Sequence, residues 1–351
     1  METQANTVTN TTAKISVAVI TTDDYESVAQ LMRYLEVQTV CKLIELVIIC
    51  PFEDKLDLNV QQLARFESFK IVEIGPFETL HEPRAAAVRH ASADIIAYTE
   101  DHCFPEPGWA EALIKAHEGP WAAVGPIIGL ANPKLHIAWV SYFMQYGAWV
   151  DTSQAVGGVS TDIAGHNSSY KRDILLAYGD DLDRIMVFES VLHEDLHQRG
   201  HTLYVEPTAR AYHVFITLMK PFCFEHYLIG RLLASTRTKR WSFGRRLIYF
   251  FGSPLIPFVR FYRIISMIRK HGWQQDLLPG ILPSFLMGLV SSAAGEMIGY
   301  AFGVGRSAEH SVDLDMNRWR YITDDEKQEL WSGKLVRFSA NPPMPGQKAT
   351  L

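Results

Sequence analysis

The chain lacks most of what would mark a secreted, nucleotide-loop or nucleic-acid-binding protein. Only four cysteines occur in 351 residues, Cys41, Cys50, Cys103 and Cys223, and no two stand in a CxxC spacing. That pattern excludes a disulfide scaffold and points to a reducing compartment. Residues 1–14 hold no apolar run behind a basic start, so no secretory signal is expected. No GxGxxG follows the first apolar run and no GxxxxGK[ST] occurs, which leaves dinucleotide and P-loop readings unsupported. Positive charge is also short. There are 33 basic and 39 acidic residues, a net charge of −6, so nucleic acid is not an expected partner. Charged residues make up only 21% and apolar ones 48%, enough for a sizeable core and too apolar for a disordered chain.

What is present divides unevenly. The expected organisation is a flexible N-terminus over 1–14, an α/β domain over 15–220, an apolar helical region over 221–303 and a tail over 304–351. Ile15 to Ile20 and Ile44 to Ile49 are short β-branched runs of the kind that form buried parallel strands. Thr21 to Asp24 ends the first run and can cap a helix from about Tyr25 to Val37. Phe69 to Ile74 and Ile95 to Tyr98 read as further strands, and Ala85 to Ala93 as a helix. Strands alternating with helices imply a mostly parallel sheet, whose ligands sit at the carboxyl ends of the strands. The loops at 21–24, 50–54 and 99–103 are therefore expected to line one crevice.

Glu100, Asp101 and His102 directly follow the strand at 95–98. Two carboxylates and an imidazole at a strand end can hold a divalent cation that bridges two phosphates. A diphosphate leaving group needs such a cation, because negative charge develops on it in the transition state. Taken alone, an acidic turn at a strand end is more often simply solvated.

The run from Ala97 to Trp109 (AYTEDHCFPEPGW) resembles the acidic strand end and PxPGW segment of glycosyltransferase family 2. Val19 to Asp24 lies where that family has its first-strand motif, and Gln38 where it has a glutamine after the first helix. Arg84 resembles the arginine of the family's ARN segment. Gly165 to Arg172 resembles the acceptor-side GxNxxxRR, and Glu194 to Gly200 the EDxxLxxRxxxxG signature, continued by Tyr204, Pro207 and His213.

The resemblance covers about 15–215 and implies a GT-A, Rossmann-like, mixed and mostly parallel sheet with a C-terminal hydrophobic appendage, as in membrane-associated bacterial members. It implies an inverting transferase using a UDP- or GDP-type sugar donor and Mn²⁺ or Mg²⁺. Asp195 would be the general base, assisted by Glu194. Thr21, Thr22, Asp24, Glu53, Asp54, Arg84, Glu100 and Asp101 would hold the donor. Glu100, Asp101, His102 and His213 would hold the metal. His166, Asn167 and Trp109 would face the acceptor. The sequence departs from the family at two places: His102 replaces the second carboxylate of DxD, and the second strand ends in Cys50 to Asp54 rather than Asp-Asp. These departures motivate a second reading, a non-catalytic scaffold for polysaccharide assembly.

His193 to His197 also spells HExxH, a zinc-peptidase pattern that would place both histidines on one helix face. The Gly200 turn follows closely and no downstream third ligand is evident, so this reading ranks below the transferase.

From Leu277 to Gly303 the only charge is Glu296, a run long enough to span a bilayer. The stretch Leu247 to Ile268 is broken by Pro254, Pro257, Arg260 and Arg263 and flanked by basic clusters, which suits an interfacial segment whose arginines reach headgroups. Arg231 is a further candidate for diphosphate or headgroups. The expected setting is the cytoplasmic side of the inner (plasma) membrane, peripheral or integral, with a glycan or lipid-linked acceptor and a role in surface polysaccharide synthesis.

Overall fold

Apolar runs of six or seven residues leave no solvent face, and the chain uses them as interior strands. β1 (Ile15–Ile20) and β2 (Ile44–Cys50) pair in parallel and are almost wholly buried. The structure, a computed structural model, describes residues 12–21, 26–147, 157–187, 189–238, 241–271, 277–332 and 334–338. β3 (Ser68–Glu73) extends the sheet beyond β2, and β4 (Ile95–Tyr98) flanks β1 on the other side, all four strands running parallel. The strand expected over Phe69 to Ile74 thus begins and ends one residue earlier.

The remaining strands are β5 (Cys103–Pro105), β6 (Ala123–Leu130), β7 (Gly158–Ser160), β8 (Ser169–Lys171) and β9 (Leu203–His213). The sheet order is β3-β2-β1-β4-β8-β6-β9-β5, with β7 on β9. β8 lies antiparallel between β4 and β6, whereas β6 and β9 run parallel. The result is the expected mixed, mostly parallel α/β sheet.

The helices are α1 (Glu26–Leu35), α2 (Val60–Leu63), α3 (His81–His90), α4 (Trp109–Ala116), α5 (His136–Tyr146), α6 (Arg172–Leu176), α7 (Leu182–Ile185) and α8 (Glu189–Gln198), followed by α9 (Met219–Thr238), α10 (Phe243–Gly252), α11 (Ile256–His271), α12 (Leu278–Phe302), α13 (Ser307–Met316) and α14 (Asp324–Leu330). Side chains alternate faces along a strand, and the core splits accordingly. Ile15, Val17 and Val19 pack with α1 on one face, while Ala18, Val47 and Ile49 pack with Ala85 and Val88 of α3 on the other. Gln38, read as a family position, ties α1's end to α4: its amide donates to the Glu106 carbonyl at 2.8 Å and accepts from Ala110 N–H at 3.0 Å.

The apolar C-terminal helices join this core. Ile281, Phe285 and Leu289 of α12 and Phe222 and Leu228 of α9 belong to the same cluster as β1 and α1. α12 crosses α9 at backbone contact. A Cβ on Gly230 or Gly295 would run into the carbonyl oxygens of Ser292 or Tyr227, so glycine permits the approach. By length and composition α12 is the one described helix able to cross a membrane, and half of its apolar window is buried inside the protein. The segment 304–338 also packs inward, with Trp319, Ile322 and Leu330 against Tyr34, Phe104 and Tyr212.

Candidate active site

The parallel strands end at one rim, and the loop after β4 brings Glu100 to a cavity of about 1230 Å³. Glu100 lies on its wall, held by Asn167, whose side-chain amide donates to Glu100 Oε2 at 2.8 Å and whose Oδ1 accepts from Glu100 N–H at 3.2 Å. Around Glu100 stand three histidines. Nε2 of His213, at the end of β9, is 3.3 Å from Oε2; Nε2 of His102 is 3.8 Å away; Nδ1 of His166 is 3.5 Å from Oε1. Burial works to raise the Glu100 pKa, but the histidines outweigh it and hold the carboxyl well below the usual range. Burial pushes His213 down to about 4, so its imidazole is neutral, the form that ligates a metal.

Glu100, His102 and His213 bring three ligand atoms within 4.8 Å of one another. Nε2 of His102 is buried without a hydrogen-bond partner and faces the group; burial works to lower the pKa of this ring, but Glu100 and the bond to Asp101 hold it above the ordinary value. These residues fit a divalent cation. Asp101 does not join them. Its Oδ1 bonds Nδ1 of His102 at 2.6 Å, which orients the ring from behind, and burial raises its pKa. Of the four residues that the sequence offers for a metal, Glu100, His102 and His213 form this group and Asp101 stands behind His102.

On the other side of His166 from Glu100, α8 begins with Glu189. Its carboxylate is bonded to the guanidinium of Arg84 and lies 3.1 Å from Nδ1 of His166. Gly165 makes the seat, since a Cβ there would collide with the Glu189 side chain. Burial works to raise the Glu189 pKa, but His166 and Arg84 hold it below the ordinary value. The sequence reading missed Glu189. The signal was available in the helix period: Glu189 lies three residues before Leu192 and seven before Leu196, the buried stripe of α8.

Asp195 and Glu194 also line the cavity, further along α8. Asp195 Oδ2 accepts from Tyr178 OH at 2.7 Å and from Arg199 Nε at 2.6 Å, with the side chain one-third exposed. The Tyr178 hydrogen bond, opposed by burial and aided by Arg199, lowers its pKa. Glu194 is bonded by Gln198 of the same helix. Neither touches the Glu100 group or Arg84 through a described bond.

The other sequence candidates scatter. Arg84, His166, Asn167 and His213 converge on Glu100. Thr21 is fully buried, with its N–H on the Ile49 carbonyl. Thr22 and Asp24 lie outside the described residues. Glu53 and Asp54 sit exposed on a short turn of 3₁₀ helix after β2 and are not part of the cavity wall. Trp109 is 1% exposed in the core at the start of α4, so it cannot face an acceptor. Arg231 donates to the Gly303 carbonyl at 2.8 Å, closing the end of α12, away from the cavity. The HExxH histidines are separately engaged. His193 bonds Tyr170 OH at 2.9 Å and the Asp162 carboxylate, and His197 bonds the Thr161 carbonyl at 2.9 Å. Among the described residues no metal-capable group includes them.

The profile of glycosyl transferase family 2 matches residues 54–179. No curated protein matches the chain. Two solved structures resemble it: GalNAc-T7 with UDP, GalNAc and Mn²⁺ (13% identity, TM-score 0.44, 57% of this chain and 43% of that one) and S. aureus TarS (12% identity, TM-score 0.41, 81% of this chain and 55% of that one). The chain therefore spans about half the length of each. The profile match contains Arg84, Glu100, His102 and His166 and stops before Glu189, Asp195 and His213, whose placement rests on geometry. Residues 54–179 thus carry the likeness to glycosyl transferase family 2 that the motifs of the sequence imply.

Proposed function

We propose that the protein is an inverting, metal-dependent glycosyltransferase that moves a sugar from a nucleoside-diphosphate donor of UDP or GDP type to a hydroxyl of a glycan acceptor. The observation that carries this reading is the meeting, in one cavity, of a metal-capable group (Glu100, His102, His213) with a second carboxylate, Glu189, joined to it through His166.

Glu100, His102 and His213 would hold Mn²⁺ or Mg²⁺, and the two imidazoles tilt the site away from Mg²⁺, which prefers oxygen ligands. Bound there, the ion neutralises charge on the diphosphate as it leaves. Asp101 holds His102 in the tautomer that presents Nε2. Arg84 is buried and faces both Glu189 and Glu100, so its cation is available to donor phosphate once its bond to Glu189 opens.

Glu189, rather than Asp195, is the base this geometry favours. It takes the proton from the acceptor hydroxyl as that oxygen forms a bond to the anomeric carbon. The bond from that carbon to the diphosphate oxygen breaks with its electron pair leaving on the phosphate. One displacement inverts the configuration. A sugar hydroxyl needs such a base because it is a weak nucleophile when protonated. Asp195, ionised and bonded to Tyr178 and Arg199, suits the outer wall of the acceptor side.

The setting we propose is the cytoplasmic face of the inner (plasma) membrane, with a lipid-linked acceptor in surface polysaccharide synthesis. Support comes from α10 and α11, where Phe243, Ile248, Phe251, Phe258 and Tyr262 are each at least 72% exposed and no acidic residue occurs between 241 and 271. Such a basic, apolar surface suits lying in a headgroup layer. Arg260 differs from the sequence expectation, because it turns inward to Glu296 and Ser292 and lines the cavity. Deleting 247–303 would open the core at Ile281, Phe285 and Leu289, so the membrane test is Phe251→Ser with Phe258→Ser, which should release the folded protein from anionic vesicles. Retention at the wild-type level contradicts the interfacial reading.

The test of the activity is donor turnover with Mn²⁺ and the anomeric configuration of the product by NMR. Inverted product, lost with chelator, supports the reading. Donor binding without turnover across a broad acceptor panel favours the scaffold.

A further inference from the structure

The group of Glu100, His102 and His213 is built by the sheet, but one of its sides is closed from the far end of the chain. Asp315, on α13, places Oδ1 3.7 Å from Nε2 of His102. That nitrogen is buried and unpartnered, since the other ring nitrogen already bonds Asp101. It faces Glu100 Oε2 at 3.8 Å and Asp315 Oδ1 at 3.7 Å, both too far for a hydrogen bond. The same spacing suits ligands around an ion. Donors about 2.1 Å from an octahedral centre stand about 3 Å apart when adjacent and about 4.2 Å when opposite. Asp315 also brings a carboxylate oxygen within 4.8 Å of ligand atoms of Glu100 and His166, so Glu100 is shared between two such groupings.

Asp315 is held in place. Arg318, three residues on, donates to its Oδ1 at 2.7 Å and is itself buried against Glu225 of α9 at 2.6 Å. A carboxylate fixed by a buried arginine, beside a buried imidazole nitrogen with no hydrogen-bond partner, is arranged as a donor atom and not as a solvated surface acid.

We propose that Asp315 is a fourth protein ligand of the divalent ion, so that helix α13 is part of the metal centre. The proposal rests on the metal-dependent reading above. Two carboxylates and two imidazoles then balance the charge of a divalent ion before any donor enters. Ion binding also ties residues 307–316 to the strand ends of the sheet, across more than two hundred residues of sequence.

The probe is Mn²⁺ alone, titrated into the full-length protein without nucleotide and followed by the electron paramagnetic resonance signal of the free ion. Wild type should bind, Asp315→Asn should bind about 10- to 100-fold more weakly, and Asp313→Asn, on the exposed side of the same helix, should match wild type. If Asp315→Asn binds like wild type, Asp315 is not a ligand and the metal centre of the sheet stands without it. If wild type binds no Mn²⁺, the metal-dependent reading falls and this proposal with it. Should Asp315→Asn fail to fold, hydrogen exchange on wild type decides. Mn²⁺ should slow exchange in 307–316 and leave α4 unchanged, whereas unchanged exchange in 307–316 overturns the proposal.

Discussion

Helix α8 carries Glu189 at its first residue and the pair Glu194–Asp195 about one and a half turns later, and the two places differ in what surrounds the carboxylates. Glu189 is half-buried, sits on the inward stripe with Leu192 and Leu196, and bonds Arg84 beside His166 and Glu100. Asp195 is more open and is held by Tyr178 and by Arg199, just past the helix end, while Glu194 is held by Gln198. Adjacent acids catch the eye in a sequence. Position on the buried stripe decides which acid reaches Arg84 and His166.

The sharpest way to break this comparison is to remove each carboxylate in turn. Glu189→Gln should lower the turnover number by about 10²- to 10⁴-fold, the usual contribution of a general base, with donor KM little changed. An effect no larger than that of Asp195→Asn would reverse the assignment. A second test asks whether the C-terminal segment is structural support for the cavity. Arg318→Met leaves Glu225 and Asp315 as buried, unpaired carboxylates and should cost about 3–5 kcal/mol in urea unfolding; a loss under ~1 kcal/mol would mean that water reaches them.

The third test concerns the cavity's far wall, where His226 lies buried with its Nε2 unpartnered and its pKa pushed down by burial to about 4. Its folded pKa is below the unfolded value of about 6.5, so unfolding takes up a proton between those values. Stability from this residue is complete above pH 6.5 and is lost as pH falls toward 4, on the order of 3 kcal/mol for a shift of this size. His226→Gln should flatten that part of the curve of stability against pH; an unchanged curve assigns the pH dependence elsewhere. Smaller still, Asp195→Asn should reduce turnover by less than about tenfold, since it loses a charge-assisted bond and not the base. At the bottom of the scale, His193→Ala should leave the metal content of purified protein unchanged, because both HExxH histidines already have other partners. Loss of stoichiometric zinc would revive the peptidase.

Much of the fold was legible because it is written in local pattern. The runs at 15–20, 44–50 and 95–98 are too apolar for anything but interior strands, and Glu100 to His102 fall at the strand end where a parallel sheet exposes its ligands. His213 was legible through its place after the Tyr204–Pro207 segment. Other features depend on tertiary geometry. Asp101 and His102 are neighbours, and only the fold shows that His102 faces Glu100 and His213 while Asp101 bonds the ring from behind. Trp109 sits in a motif whose resemblance puts it on the acceptor side, yet the start of α4 turns it into the core. Glu189 needed the helix period rather than a motif. Asp315 carries no local signal, because it lies on a polar helix and meets His102 only through packing of α13 on α9.

The central claim is that the metal-capable group at the strand end and Glu189 address one sugar carbon from opposite sides. A crystal structure of the Glu189→Gln protein with Mn²⁺ and an intact nucleotide sugar tests it most directly. The account predicts the ion on Glu100, His102 and His213, the diphosphate against it, and the open face of the anomeric carbon turned toward residue 189. An ion or diphosphate seated elsewhere, or that open face turned toward Asp195, would contradict it.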